Sequence, residues 1–263
     1  LLVAETLEAT DGRLEDAVKA YETVIEKHGK SKQAEKAHLA LARLKAFHLE
    51  LRMPRAVSTS AKPVVRVASR NIPALDVRVY RLEMEEYFRR KGTVRGVENL
   101  QLEVVKPDIE TRWEIGPYRP FALLEADREV PVKGAGAYVV VAGDEHLTDT
   151  LLFLVSDTEA VVKKARGEQL FVWAFERSDQ APVEGARILV AAGGKVREVG
   201  QTDDDGVWRG QAGADAANVL VVAKGGVASA ELGAGEAVAT GFTSKALVYT
   251  SAPVYRPGHE VQW

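Results

Sequence analysis

Residues Lys62–Met84 read KPVVRVASRNIPALDVRVYRLEM. Val65 and Val67 flank Arg66, and Val77 and Val79 flank Arg78. Alternate residues of a strand point to opposite faces, so this period of two predicts two half-buried antiparallel strands, broken at Asn71-Ile72-Pro73. Five further runs follow at turn-punctuated spacing: LQLEVVKPD, TRWEIG, FALLEAD, GAYVVVAGD and DTLLFLVSD. About seven such strands over residues 60–158 predict one β-sandwich domain, with EMEEYFRRKG as a short helix or loop insertion.

A boundary falls near Asp157-Thr158-Glu159. Residues 159–240 then predict a second sandwich, its shorter strands joined by the turn-rich segments SDQAPVEG, AAGGK and TDDDG. Residues 241–263 begin a third unit. They hold too few strands to bury a core, so they are expected either to pair with the preceding domain or to be poorly ordered. Ahead of the strands, residues 1–52 have helical period. Leu14, Ala17, Val18, Tyr21 and Ile25 mark one apolar stripe, and Ala34, Ala37, Leu41, Leu44 and Phe47 the next. Gly29 suits a left-handed C-terminal cap and Ser31 an N-cap. A further helix covers the first ten residues, ending at Asp11-Gly12.

The 263 residues allow two domains or one large one, and 46% of them are hydrophobic and 28% charged. A net charge of −3 gives no field suited to nucleic acid or an anionic membrane. With no cysteine, the chain has no disulfide, thiolate metal site or cysteine nucleophile. No run approaches the roughly 20 apolar residues of a membrane helix. The start, Leu1-Leu2-Val3-Ala4-Glu5, lacks the features of a signal peptide and reads as an internal cut.

Several stretches carry a resemblance. Val248–Trp263, VYTSAPVYRPGHEVQW, resembles the opening of a macroglobulin-like domain in the α2-macroglobulin and complement superfamily, where a strand is followed by Tyr-Arg-Pro-Gly. The matching residues are Tyr255, Arg256, Pro257 and Gly258. Pro257 and Gly258 suit positions i+1 and i+2 of a type II turn, and Pro253 belongs at a strand end or edge. QLFVWAFERSDQAPVEGARILVA is similar to a second family pattern, Gly-x-Pro-Val-x-Gly-Ala followed later by Thr-Asp-x-x-Gly. Its structural positions here are Pro182, Gly185, Thr202, Asp203 and Gly206. SRNIPALDVRVYRLEMEEYF is similar to the early domain of bacterial members.

Gly12, Ala17, Tyr21, Ala34 and Leu41 also resemble the tetratricopeptide repeat over about one and a half repeats. That segment is either the end of a longer array or a helical cap. The fold expectation is therefore mainly β: tandem antiparallel macroglobulin-like sandwiches after a short tetratricopeptide-like helical segment.

The resemblance implies a scaffold role, not an enzymatic one. The chain would be the N-terminal portion of a bacterial broad-spectrum endopeptidase inhibitor that traps target proteases, in the periplasm or at the cell surface. Its partners would be those proteases, through the full-length protein, and neighbouring macroglobulin-like domains. No nucleic acid, membrane insertion or cofactor is implied. Without cysteine the chain lacks the thioester of many family members, and nothing in it reads as a bait segment. The alternative is a binding module of an exported adhesin or other multidomain protein. A hydrolase whose catalytic part lies elsewhere is a third reading.

Sharper readings of single motifs yield to plainer ones. Asp203-Asp204-Asp205-Gly206 is no EF-hand loop, because the bidentate twelfth position falls on Ala214, so a turn is expected. His38 and His48, ten residues apart, lack the i+3 or i+4 partner a zinc site needs. VSTSAK and FTSKAL have no nucleophile spacing, and Ser58-Thr59-Ser60 reads as a linker between helices and sandwich. GGKVREVG and GADAANVLVVAKGG lack the phosphate-loop pattern and read as hairpin turns. Glu85–Arg89 and Glu86–Arg90 are i, i+4 pairs on a solvated helix face, with a domain-docking surface as the alternative. Trp113, Trp173, Trp208 and Trp263 are expected in sandwich cores.

Overall fold

A computed structural model of the chain describes residues 1–96, 105–164, 168–232 and 237–239. The third unit expected over 241–263, with Tyr255, Arg256, Pro257, Gly258 and Trp263, lies outside the described residues. So does the first part of LQLEVVKPD. The protein is mainly β and divides into two compact units. The first comprises Leu1–Leu82 and Gly96–Val155, the second Glu83–Arg95 and the chain from Ser156 on. The chain thus passes between units at 82/83, 95/96 and 155/156.

The first unit opens with helices α1 (Leu2–Glu8), α2 (Leu14–His28) and α3 (Lys32–Lys45). Their stripes meet in a core of Ala4, Ala17, Val18, Tyr21, Ala37, Leu41 and Leu44. Small residues at 4, 17 and 37 let the helices approach closely around the tyrosine. Ser31 caps α3, its Oγ accepting from Ala34 N at 3.2 Å. Gly29, expected in a left-handed cap, has φ −54° and stays right-handed. The cap is unnecessary because the Ser31 N–H and Oγ both donate to His28 O, at 2.8 and 2.7 Å.

Tyr21 is buried and donates to Glu8 Oε2 at 2.8 Å. Burial and that bond push its phenol up to about 12. For Glu8, burial works upward, but the Arg43 and Tyr21 hydrogen bonds outweigh it and hold the carboxyl low. The raised phenol contributes stability that is complete below its ordinary value of 10 and is lost as pH rises through about 12. The lowered carboxyl contributes stability above the ordinary carboxylate range and loses it as pH falls through its own value. We expect the ultraviolet titration of wild type minus Tyr21→Phe, with circular dichroism in parallel, to have its midpoint near 12. A midpoint near 10 would show that Tyr21 is not held by Glu8.

The helical segment ends at Lys45, short of the expected residue 52. Asn71, at φ 61°, donates its Nδ2 to Leu44 O (2.8 Å) and Ala46 O (3.1 Å), taking carbonyls that end α3. Its Oδ1 accepts from Phe121 N at 2.9 Å. His48–Arg52 is strand β1. His48 is therefore on a strand rather than a helix, and Phe47 stacks on His146 with centroids 3.8 Å apart.

Strands β2 (Ala56–Val57), β3 (Val64–Arg70), β4 (Ala74–Leu82), β5 (Ile109–Glu114), β6 (Leu123–Glu129), β7 (Gly136–Gly143) and β8 (Thr148–Val155) complete the first sandwich. One sheet has the order β1-β3-β6 and the other β2-β8-β7-β4-β5. Only β2–β8 is parallel among these pairs. Ser58-Thr59-Ser60 therefore joins two strands inside the sandwich and is not the expected linker from the helices. Leu51, Val65, Val67, Leu75, Val77, Val79, Trp113, Val140 and Phe153 fill the core between the sheets. Val64, out of phase with Val65, is 42% exposed.

The second unit packs β9 (Thr158–Lys164), β10 (Gln169–Glu176), β11 (Arg187–Ala192), β12 (Lys195–Gln201), β13 (Val207–Gln211), β14 (Ala216–Ala223), β15 (Gly226–Glu231) and β16 (Ala237–Ala239) into two antiparallel sheets. Their orders are β13-β10-β9-β16 and β12-β11-β14-β15. Val162, Leu170, Val172, Ile188, Val190, Val219 and Val221 form the core between them. Helix α4 (Met84–Lys91) belongs to this unit and ends at Gly92, whose left-handed φ of 68° lets its N–H return to Phe88 O at 2.7 Å.

Candidate functional site

Two constellations in the second unit bring the singled-out residues together. The first is a lock of loops. Thr202, buried, follows β12; its Oγ1 donates to Val183 O at 2.6 Å and accepts from Ala186 N at 2.8 Å. Its backbone pairs with the next loop through Gly185 N→Thr202 O (2.9 Å) and Thr202 N→Ala186 O (3.0 Å). Threonine can do this because one hydroxyl donates and accepts at once.

Asp203 then folds the turn. Its Oδ1 accepts from Asp205 N (3.1 Å) and Val207 N (2.8 Å), and its carbonyl from Gly206 N (3.0 Å). Gly206 O accepts from Ala174 N at 2.8 Å, and Val183 N donates to Ala174 O at 2.9 Å. Pro182 bridges Phe175. Pro182, Gly185, Thr202, Asp203 and Gly206, separated by up to 24 positions, thus tie β10, β11, β12 and β13 at one place. The carboxylate of Asp203 is spent on backbone N–H groups, as the turn reading requires.

Gln180 stands where the resembling pattern has its first glycine, and it has a left-handed φ of 61°. A side chain in that region costs about 1–2 kcal/mol. Gln180→Gly is expected to raise stability by about 0.5–1 kcal/mol after the greater freedom of glycine in the unfolded chain is subtracted. Denaturant unfolding measures it, and a loss of stability would mean that the glutamine side chain outweighs the strain.

The second constellation surrounds α4. Phe88, fully buried, rests on Leu189, Ala191 and Leu220. Glu85 accepts from Arg187 Nη1 at 3.0 Å and pairs with Arg187 Nη2, and Arg187 Nη1 also reaches Glu198 Oε2 at 3.1 Å. The Arg187 guanidinium beside Glu85 holds that carboxyl low, against the effect of burial. Arg89 pairs with Glu85 at 2.9 Å, and Arg90 pairs with Glu86 on the exposed side. Asn218 Nδ2 donates to Gly92 O at 2.8 Å. Both expected i, i+4 pairs form, and Glu86, Arg89 and Arg90 are exposed, while Glu85 pairs with Arg187 of β11 and Phe88 packs on Leu189 of β11 and Leu220 of β14.

Trp113 is buried in the first core, and Trp208 packs against the second. Trp173 departs from expectation. It shares a face of β10 with Phe171 and Phe175, opposite the core-facing Leu170, Val172 and Ala174. Its ring centroid is 4.4 Å from that of Phe175, and Arg209 sits 5.3 Å over Phe171. The strand's composition foretold no such face, because core-facing and outward-facing positions are both apolar.

A cleft of about 490 Å³ lies in the first unit between the α1–α2 turn and residues 118–122, where Arg119 pairs with Asp11 at 2.7 Å. Among the described residues no group of three or more His, Asp or Glu side chains is arranged to hold a metal ion. No described helix is long and apolar enough to cross a membrane.

No protein-family model matches the chain, and comparison with curated proteins finds no match. Solved structures do match. A piece of native alpha-2-macroglobulin from Escherichia coli spanning domains MG0-NIE-MG1 aligns with TM-score 0.54 and 15% identity over 70% of this chain and 64% of its own. A shorter piece spanning NIE-MG1 aligns with TM-score 0.52 and 15% identity over 72% of this chain and 99% of its own. A Salmonella alpha-2-macroglobulin mutant aligns with TM-score 0.50 and 17% identity over 71% of this chain and 12% of its own. The fold is that of bacterial alpha-2-macroglobulin domains. This chain spans about an eighth of the length of the Salmonella protein. The tetratricopeptide-like reading of the helices gains no support from these structures.

Proposed function

We propose that the chain is the N-terminal scaffold portion of a bacterial alpha-2-macroglobulin-like endopeptidase inhibitor, exported to the periplasm or cell surface. The observation that carries this reading is the fold likeness over 70% of the chain to the Escherichia coli protein. The interlocked loops around Thr202 and Gly206 fit it: their polar groups are consumed in joining strands, as suits a rigid wall rather than a reaction centre. The role is structural and non-enzymatic. The partners are neighbouring macroglobulin-like domains and, through the whole protein, target proteases.

The test uses the full-length parent protein and a general endoprotease. After mixing, the inhibitor is expected to change its size on a sizing column, and the captured protease to cut small peptides while sparing large protein substrates. Unchanged size together with undiminished cleavage of large substrates would overturn the proposal.

A further inference from the structure

We propose that Asp11-Gly12, in the α1–α2 turn, is a site of spontaneous conversion of aspartate to isoaspartate, and that the fold protects Asp205-Gly206 from the same change. These are the two Asp-Gly dipeptides of the chain. In each, the glycine lacks the Cβ that would hinder attack of its nitrogen on the preceding carboxyl. By residue type the two are alike. Their surroundings separate them.

The Asp11 side chain is 91% exposed. Gly12 is exposed as well, and among the described residues its N–H makes no hydrogen bond. Nothing stands within 4 Å of where a Gly12 Cβ would be. Both residues line the cleft beside residues 118–122, so water reaches them. The one side-chain contact to be undone is the pair from Arg119 Nη1 to Asp11 Oδ1, at 2.7 Å. Both partners are more than half exposed, which makes that pair a weak brake.

Gly206 is held where Gly12 is free. It is buried, its N–H donates to Asp203 O at 3.0 Å, and its carbonyl accepts from Ala174 N at 2.8 Å. Asp205 N is tied to Asp203 Oδ1 at 3.1 Å. Ring closure there has to free the Gly206 N–H and turn the Asp205 backbone, which opens two of these hydrogen bonds.

In the reaction, Gly12 N attacks Asp11 Cγ. A C–N bond forms, a carboxyl C–O bond breaks, and water leaves, made of the carboxyl hydroxyl and the amide proton. Water then adds to either carbonyl carbon of the cyclic imide, and the C–N bond there opens as the nitrogen regains its proton. Opening at Cγ restores aspartate. Opening at the main-chain carbon leaves the chain running through Cβ and Cγ, with a free carboxylate on Cα. Mass is unchanged, and no oxidant or reductant takes part. The added main-chain carbon lies inside the turn that Arg13 N closes on Thr10 O at 3.2 Å, and the carboxylate moves away from Arg119.

The test holds the full 263-residue chain folded at neutral pH for several weeks, then maps its peptides by chromatography and electron-transfer fragmentation. Isoaspartate is expected at 11 at roughly tenfold or more its level at 205, from the two hydrogen bonds that guard the second site. In denaturant, where that guard is gone, the two sites are expected to react alike. Arg119→Ala should hasten the folded reaction at 11 by up to about fivefold. Asp11→Glu, whose ring would need one more carbon, should abolish it. Both variants change exposed side chains. The proposal is overturned by equal levels at 11 and 205 in the folded chain, or by none at 11 while the denatured chain forms it. A site 205 that stays tenfold slower in denaturant also overturns it, since the fold would then not be the protection.

Discussion

Gly206→Ala is expected to unfold or severely loosen the second sandwich. Gly206 has φ +72°, and a Cβ there would stand 2.4 Å from Ala174 O, 3.0 Å from Val183 N and 3.1 Å from Pro182 Cα. All three are backbone atoms, and Ala174 is fully buried and paired with Ala160 in β9. The obstacle cannot swing away as a side-chain tip would. Left-handed alanine costs about 1–2 kcal/mol and forced overpacking about 1–3, so the loss is roughly 2–5 kcal/mol. Thermal unfolding should show a fall of more than about 10 °C in the transition of this unit. Gly194→Ala is the matched control, since Gly194 has φ +75° but nothing within 4 Å of its would-be Cβ. If both variants lose the same stability, backbone approach is not what reserves position 206 for glycine.

Phe88→Ala should detach α4. The helix has 8 residues, too few to persist in water without packing. Its fully buried anchor is Phe88, against Leu189 and Leu220. Truncating a buried phenylalanine costs about 3–5 kcal/mol. Glu85→Gln removes one partner of a half-exposed ion network and should cost about 1 kcal/mol or less. Limited trypsin digestion reads the difference directly, because Arg89, Arg90 and Lys91 follow the anchor. Cleavage there should accelerate strongly in Phe88→Ala and little in Glu85→Gln. Equal acceleration would make the Glu85–Arg187 pair, rather than the phenyl ring, the fastening.

These two sites differ in how far they were legible. The turn chemistry of Thr202-Asp203-Asp204-Asp205-Gly206 is written in residue types that cap their own backbone, so the sequence suffices to expect a turn. That the turn is locked against Ala174 and Val183 is not. For α4, the i, i+4 charge pairs were visible, whereas the membership of the helix in the second unit was not, because Leu189 and Leu220 lie more than 100 positions away.

The sequence by itself determined the strands over Val64–Arg70 and Ala74–Leu82 and their buried faces, the three-helix start, and the cap at Ser31. Each follows from a period or a hydrogen bond closed within a few residues, so no distant partner is needed. Tertiary structure alone decided that His48–Arg52 leaves the helix to pair with β3 and that Gly29 stays right-handed. It also decided that Trp173 faces outward, and that backbone closes on the would-be Cβ of Gly206 but not on that of Gly194. Those outcomes depend on which atoms occupy the space beside a residue. Residues remote in the chain supply such neighbours, and local pattern carries no record of them.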